Sequence, residues 1–555
     1  MATIAVPQPQ DDTEFRTCPV TALKVDLAAE KLIIANAVAA VSFLAIGGLF
    51  ALLLALTRWQ AVHLLRPDWF YRILTAHGFD MLVAWIVFFE VAGLYFGSAI
   101  MLNARLVWPK VAWGAFILML GGAIMTNVMV LLGEADVMFT AYVPLKAHPL
   151  FYLGIVLFAV GTLIAVFLFF GTVITAKREG RYEGSVPLVT YGLIAAAIIA
   201  IYTLVAGALA FVPALLWSLD WIPALDPGYY RNLFWGFGHP AQQINLAAMV
   251  SIWYALAAIT VGAVPLNEKL SRAAFVLYIL FINLGSAHHL LTDPGYSFIW
   301  KVTNTSYAMY LAVLGSLIHA FSIPGAIEAA QRRKGYTKSL FEWLRKGPWK
   351  EPGFSALVIS MVLFGWIGGV TGVTIGTEQV NMLAHNTMRL PGHFHATVVS
   401  GTTLAFMGLT YYLIPLIFRR ELKLKKWASW QPYVFGFGML LVSIGMIAAG
   451  LQGVPRRHWD ITFASASFEG FIPSTAELML GIMGIGALIA ITGGIMYITI
   501  VLVSILTGKK QEARRLTLVM SQENPLVEDA IPANGQEAHG KIAPKGTVVL
   551  VFAFL

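Results

Sequence analysis

Histidine is the residue type whose positions in this chain most clearly suggest chemistry. Six of the twelve histidines lie at the ends of long apolar runs: His77, His239, His288, His289, His393 and His395. Ionisable side chains within a bilayer are costly and usually functional. Imidazole is a common ligand of haem iron, non-haem iron and copper. Six imidazoles suffice for one haem with two histidine ligands, a second haem with one, and a metal held by three.

The spacing of the histidines limits which of them can share a metal. His393 and His395 flank Phe394. Because residues two apart on a helix project about 200° apart, these two imidazoles cannot bind one iron but could bind two haems on opposite sides of the helix. His288 and His289 are adjacent, and together with His239 they could reach a single metal ion.

Long apolar runs must position these side chains. The chain has 555 residues, a mean hydropathy of +0.74 and only 12% charged residues, which excludes an ordinary soluble protein. The pattern predicts an all-α polytopic membrane protein with twelve transmembrane helices. The predicted spans are residues 34–56, 78–102, 112–133, 149–174, 188–217, 240–266, 273–291, 305–326, 354–376, 394–418, 433–451 and 477–507. The apolar tail, 546–555, is either the start of a thirteenth helix or a buried segment.

Lys and Arg predict the orientation. They concentrate in the loops after even-numbered runs, for example at Arg332, Arg333 and Lys334, so these loops are predicted to be cytoplasmic. The N-terminal segment, 1–30, is then cytoplasmic as well. A transmembrane catalytic domain over 31–507 follows, and then a polar linker over 508–545. With this topology all six histidines fall at one depth, near the outer face.

Composition also excludes several classes. The net charge of +8 lies in short loops between apolar runs, so it does not indicate nucleic-acid binding. The single cysteine, Cys18, excludes a disulfide framework and thiolate-rich copper or iron-sulfur centres in this chain. No internal repeat suggests the inverted halves of a transporter.

Several motifs resemble subunit I of the haem-copper oxidase superfamily, most closely its B-type (ba-type) branch, over nearly the whole chain. The motifs are Leu74-Thr75-Ala76-His77-Gly78, Tyr142-Val143-Pro144-Leu145-Lys146, Phe151-Tyr152-Leu153-Gly154, Gly238-His239-Pro240, His288-His289 with Asp293-Pro294-Gly295, His385-Asn386-Thr387 before Pro391-Gly392-His393-Phe394-His395, and Val454-Pro455-Arg456-Arg457.

The resemblance implies two haems in this chain. His77 and His395 would bind a low-spin haem, and His393 would be the proximal ligand of a high-spin haem. Arg456 and Arg457 would pair with haem propionates, a role that suits guanidinium groups.

The resemblance also implies a non-haem metal, iron or copper, facing the high-spin haem. His239, His288 and His289 would hold it. His385 is also assigned to the cofactor-binding residues, because it belongs to one of the matching motifs.

One position departs from the oxygen reductases of the branch. They carry a tyrosine four residues after the first metal-binding histidine, linked covalently to a metal-ligating histidine, and it supplies an electron and a proton for splitting O–O. This chain has Gln243 there, on the same helical face as His239. An amide cannot donate an electron, but it can hydrogen-bond or offer its oxygen to a metal. The change favours reduction of two NO to N2O, which needs only two electrons and two protons.

The proton path of the branch is altered too. Three positions that carry proton-path hydroxyls in the branch are occupied here by Val250, Gly315 and Ile318. One path tyrosine is retained, as Tyr254. The buried acid Glu90 is either a proton relay or a bonded structural group.

The sequence therefore predicts a nitric oxide reductase catalytic subunit in a prokaryotic inner membrane. The alternatives are a B-type oxygen reductase and a haem-bearing transporter or assembly factor without catalysis. No donor site is encoded, so a small electron-transfer subunit at the outer face and cytochrome c or a similar donor are expected partners.

Overall fold

A computed structural model describes residues 14–18, 23–182, 184–282, 284–510 and 543–554. Within these residues, eleven helices are long and apolar enough to cross a membrane. In chain order they are α1 (Leu27–Arg58), α2 (Pro67–Ile100), α3 (Pro109–Leu132), α4 (Pro149–Arg178), α5 (Leu188–Ser218), α6 (Pro227–Val261), α7 (Phe298–Arg333), α8 (Pro352–Ile375), α9 (Arg389–Phe418), α10 (Lys425–Leu451) and α11 (Ser474–Thr507). The predicted all-helical membrane architecture is confirmed.

The predicted count of twelve spans is not confirmed: the seventh predicted run, 273–291, is not among the eleven helices found in the described residues, and residue 283 within it lies outside them. A short helix, Glu268–Leu277, leads into a π-helical turn, Tyr278–Ile282, and a 3-10 turn, Leu284–His289, ends the segment. Hydropathy detects the apolar run but not the change of helix type within it. The tighter final turn carries His288 and His289.

Several predicted helix starts are too late. Helix α2 begins at Pro67 and α6 at Pro227, with proline in the first turn, where its missing N–H costs no hydrogen bond. Hydropathy does not detect the first turns of these helices, because they contain polar residues. His77 and His239 consequently lie inside helices and not at their starts, where a continuous backbone holds them more rigidly.

The helices that carry most of the histidines form the centre of the bundle. In α2, α6 and α9, 83% of the most apolar window is buried inside the protein, against 33% in α1, α3 and α11. The outer helices therefore shield the central three from lipid. Stretches of π-helix interrupt α2 at Asp80–Ala84, α8 at Leu363–Gly369 and α9 at His395–Thr403. Such turns often occur at functional sites.

Smaller elements decorate the ends of the bundle. Two antiparallel strands, β1 (Phe15–Thr17) and β2 (Lys24–Asp26), precede α1, with Phe15 opposite Asp26. Asp26 then caps α1 by accepting from the Ala29 N–H. The helices Glu342–Arg345 and Glu378–Ala384 lie in loops. Most of the predicted segment 1–30 before α1 lies outside the described residues.

The C-terminal tail forms a helix, Lys545–Phe554, which is too short to span a bilayer. Its first turn rests on the buried carboxylate of Glu328 in α7, which accepts from the backbone N–H groups of Gly546 (3.0 Å) and Thr547 (2.6 Å). Arg332 donates to the same carboxylate at 2.8 Å. A carboxylate at a helix N-terminus satisfies unpaired N–H donors and favours the helix dipole. Of the predicted linker, 511–542 lies outside the described residues.

Candidate metal centre and cofactor cavity

A cavity of about 1130 Å³ occupies the middle of the bundle, and all six of the predicted histidines line it. This volume exceeds that of ordinary small-molecule pockets, which hold about 300–1,000 Å³. Glycines of α8 contribute to its wall: a Cβ at Gly365 would meet no atom within 4 Å, and one at Gly369 would meet only a backbone oxygen at 3.7 Å. The walls therefore leave room for flat, bulky groups, and the cavity fits haem cofactors.

Three histidines converge at one point of the cavity. The ligand nitrogens of His239, His288 and His289 lie within 4.8 Å of one another, and His239 Nδ1 is 3.2 Å from His289 Nε2. The Nδ1 of His288 donates to the Gly285 carbonyl at 2.5 Å, which leaves its Nε2 available as a ligand. Because imidazole–metal bonds measure about 2.0–2.1 Å for zinc-sized ions, the three nitrogens fit a single metal ion.

Gln243 contacts this trio on its α6 side. The side-chain nitrogen of Gln243 lies 3.0 Å from His239 Nε2, while His239 Nδ1 faces His289. Gln243, which the spacing predicts on the same helical face as His239, lies beside the trio. Its amide meets the outer nitrogen of one imidazole and not the point where the three rings converge.

His77 and His395 face each other across the cavity. Their rings are nearly parallel, 17° apart, with centroids separated by 6.4 Å. Each Nδ1 donates to a backbone carbonyl, His77 to Gly47 at 3.0 Å and His395 to Pro391 at 2.7 Å. Only Nε2 remains available on either ring, and the separation leaves room for one metal atom between them.

His393 contacts a different helix from His395, as their spacing predicts. Its Nδ1 donates to the Gly368 carbonyl of α8 at 2.9 Å, and Thr371 Oγ1 lies 3.1 Å away. A Cβ at Gly372 would come within 2.7 Å of the His393 ring, so α8 must present a glycine there. The ring is thereby held with Nε2 free.

Three arginines line the rim of the cavity: Arg58, Arg456 and Arg457. Among the described residues none of them forms an ion pair with a carboxylate. Burial, and secondarily the charge of Arg456, lower the pKa of Arg457 to about 10, so Arg457 remains cationic at neutral pH. Buried cations require anionic partners, and the carboxylates of a bound cofactor would supply them. The cluster thus fits haem propionates.

Arg58 is a candidate residue that the sequence analysis missed. It lies in the last turn of α1, is 5% exposed, and donates from Nη2 to the Arg456 carbonyl at 2.7 Å. Its Nε has no partner among the described residues. In the sequence, a lone arginine at the end of an apolar helix is typical of an interfacial anchor. Only the tertiary structure shows that Arg58 is buried.

An aromatic and ionic frame braces the trio from the rim. Trp235 stacks on His289 with ring centroids 3.8 Å apart and donates from Nε1 to the Tyr142 hydroxyl at 2.8 Å. The Arg231 guanidinium lies 4.4 Å from the Tyr142 ring centroid and binds both oxygens of Asp293, at 2.6 and 2.8 Å. This bidentate pair fixes the frame, which in turn restricts the His289 ring.

Two other predicted residues, His385 and Glu90, lie outside the cavity lining. His385 follows the helix Glu378–Ala384 and does not line the cavity. Burial, and then the Arg456 charge, lower the pKa of His385 to about 4, so it is neutral at pH 7. Glu90 is buried in α2 at 7% exposure, away from the cavity lining, and its Oε1 has no partner among the described residues. Their cofactor and relay roles stay predictions.

Residues 31–489 match the family described as cytochrome c and quinol oxidase polypeptide I. Cytochrome c oxidase subunit 1 of Thermus thermophilus is 31% identical over 77% of this chain and 75% of its own length. Quinol oxidase subunit 1 of Bacillus subtilis is 23% identical over 74% of this chain and 63% of its own. A solved structure of a heme-copper terminal oxidase dimer is similar with a TM-score of 0.83 and 26% identity, covering 96% of this chain and 92% of that one.

The chain therefore belongs to the haem-copper oxidase subunit I family, a family of multi-pass membrane oxidoreductases. Subunits of this family normally bind haems and a metal, and the three-histidine site is present here with fitting geometry. The resemblance drawn from the motifs is confirmed at the level of the superfamily.

Proposed function

We propose that this chain is the catalytic subunit of a nitric oxide reductase that converts two NO, two electrons and two protons to N2O and water. The observation that carries the proposal is the contact of Gln243 with His239 Nε2, at 3.0 Å. An amide at this position provides no redox equivalent. Oxygen reduction to water takes four electrons, whereas NO coupling takes two. Loss of an oxidisable side chain therefore hinders oxygen reduction but not NO coupling.

The residues would hold their groups as follows. His77 and His395 bind the low-spin haem, His393 binds the high-spin haem, and the trio of His239, His288 and His289 binds the non-haem metal. Arg58, Arg456 and Arg457 pair with the haem carboxylates. When bound, the haems and the metal supply electron transfer and Lewis-acid chemistry.

In this proposal Gln243 has a positioning role. If His239 gives its Nδ1 lone pair to a metal, its Nε2 carries the proton and must donate it. Gln243 then accepts through Oε1, which is the other orientation of an amide whose oxygen and nitrogen are exchangeable by a flip. Gln243 would thus fix the His239 ring and its tautomer instead of becoming a fourth ligand. Three imidazoles suit iron and copper alike, so both metals remain open.

The second candidate is a B-type oxygen reductase with similar cofactors. The similarity of this chain to cytochrome c oxidase and quinol oxidase subunits favours this second candidate. In either case we propose an inner-membrane location with a cytoplasmic N-terminus. We also propose that a small electron-transfer subunit, which receives electrons from cytochrome c or a similar donor, binds at the outer face.

Steady-state consumption of NO and of O2 by the purified enzyme, with metal analysis, tests the proposal. The wild type should reduce NO much faster than O2. Fast four-electron O2 reduction with only trace NO turnover would overturn the proposal and leave the oxygen reductase standing.

Substitution of Gln243 sharpens that test. Gln243→Leu keeps most of the volume but removes the partner of His239, so NO turnover should fall by about 10²-fold while both haem spectra persist. Gln242→Leu is the matched control, because Gln242 bonds to Asn245 and not to a histidine. Gln243→Tyr should gain little O2 reduction. Equal NO rates in Gln243→Leu and Gln242→Leu would refute the positioning role.

A further inference from the structure

A buried acid lies one helical turn beyond His77 in α2. Asp80 is 0% exposed and is not among the residues that line the cavity. Its Oδ1 accepts from Asn127 Nδ2 of α3 at 2.8 Å, while its Oδ2 has no partner among the described residues. An ionised carboxylate with a single hydrogen bond is costly inside a membrane protein, so a buried acid of this kind is expected to have a function.

Asn127 also has one unbonded oxygen. Its Nδ2 donates both to Asp80 Oδ1 and, at 3.1 Å, to the Ala123 carbonyl of its own helix. These two acceptors identify which atom of the amide is the nitrogen. The Asn127 Oδ1 is buried and unbonded within the part of the chain that the structure describes. One carboxyl oxygen and one amide oxygen are thus left over, and a single proton would satisfy both.

No neighbouring cation balances a negative charge on Asp80. Asp80 forms no ion pair with any described residue. In α1 the nearest charged residue is Arg58, eleven residues beyond Gly47, or about 16 Å along the helix. In α3 the charged residue is Lys110, seventeen residues before Asn127, or about 25 Å. A buried carboxyl group without a cation is more stable in the neutral form.

Asp80 lies where α1 approaches α2 most closely. A Cβ at Gly47 would lie 3.1 Å from Asp80 Cβ and 2.7 Å from the Met81 sulfur, so this approach requires a glycine. The carbonyl of the same glycine accepts from His77 Nδ1 at 3.0 Å. The π-helical turn of α2 begins at Asp80. Helix α2 is therefore held by α1 and, through Asp80 and Asn127, by α3, one turn from the imidazole of His77.

We propose that Asp80 carries a proton and forms a cyclic acid–amide pair with Asn127, and that this neutral pair positions His77 as a ligand of the low-spin haem. The Asp80 Oδ2–H donates to Asn127 Oδ1, while Asn127 Nδ2 donates to Asp80 Oδ1. Neither side chain is charged, and all four polar atoms are bonded. The inference rests on the assignment of His77 to the low-spin haem, which both candidate functions share, and not on the gas that is reduced.

Asp80→Asn distinguishes a neutral acid from an ionised one. Asparagine replaces the acid O–H by an amide N–H, so it keeps the cyclic pair and changes no charge. The low-spin haem should keep its content, spectrum and midpoint potential, and the infrared band of protonated carboxyl groups should lose intensity relative to the wild type. A higher midpoint potential with an unchanged band would overturn the proposal, because removal of a negative charge near the iron favours the reduced haem.

Asp80→Leu and Asn127→Leu remove the pair but keep most of the volume. Both variants should retain the low-spin haem about tenfold more weakly, as expected for loss of a residue that supports a metal ligand. The electron paramagnetic resonance signal of the low-spin haem should also broaden, because the His77 ring is held less firmly.

Asn36→Leu is the matched control for Asn127→Leu. Asn36 of α1 is buried, donates to the Leu32 carbonyl of its own helix at 2.9 Å and has an unbonded Oδ1, but it is bonded to no carboxyl group in the described structure. Equal haem retention in Asn127→Leu and Asn36→Leu would refute the positioning role. If Asp80→Leu fails to fold, Asn127→Leu and Asp80→Asn decide. These measurements need no gas turnover, so failure of the NO proposal leaves them intact.

Discussion

The two ends of the cavity use histidine in different ways. At one end, four imidazoles (His77, His288, His393 and His395) donate from Nδ1 to backbone carbonyls. At the other end, His319 Nδ1 meets the Tyr254 hydroxyl. A carbonyl only accepts, so it fixes the tautomer and leaves Nε2 with a free lone pair, which suits a metal ligand. A hydroxyl can accept or donate, so the Tyr254 hydroxyl does not by itself fix the tautomer of His319.

The largest effect should come from removing one imidazole of the trio. His239→Ala, His288→Ala or His289→Ala should each lose one metal equivalent and nearly all activity, because two imidazoles hold the ion too weakly, while both haems stay bound. Elemental analysis and haem spectra measure this. His319→Phe is the contrasting variant and should keep the metal. Full metal content in a trio variant would contradict the assignment of these three histidines as metal ligands.

Loss of the facing pair should have a narrower effect. His77→Ala or His395→Ala should remove the low-spin haem spectrum, since each ring supplies one axial ligand, while the high-spin haem remains at least partly loaded. Reduced-minus-oxidised spectra with and without CO distinguish the two haems. A normal low-spin spectrum in either variant would show that the ligands are assigned wrongly.

The smallest effect concerns the tail beside the His319 end of the cavity, where Leu550 and Val551 contribute to the lining. Glu328→Gln removes the charge that holds the N–H groups of Gly546 and Thr547, so docking of the tail should weaken by about 1.5–3 kcal/mol. Hydrogen exchange of residues 545–554 should rise. Glu342→Gln, whose carboxylate accepts from the Lys338 N–H, is the control. Unchanged exchange would show that apolar packing alone holds the tail.

The sequence by itself determined the helical membrane architecture and the superfamily. It also singled out the six histidines that line the cavity and the placement of Gln243 beside His239. These follow from local properties, because hydropathy reports burial in lipid and short motifs keep their ligands at fixed spacing. The amphipathic first turns of α2 and α6 escaped the same test, since hydropathy does not register a helix that starts with polar residues.

Only the tertiary structure decided which polar groups face one another. Arg58 closes the first apolar helix and His319 lies within the run 305–326, and nothing local distinguishes a buried polar side chain from an interfacial one. Their partners, the Arg456 carbonyl and the Tyr254 hydroxyl, are 398 and 65 residues away along the chain. The π-helical and 3-10 turns of the seventh run, Tyr278–Ile282 and Leu284–His289, could not be predicted either, because hydropathy does not distinguish helix types.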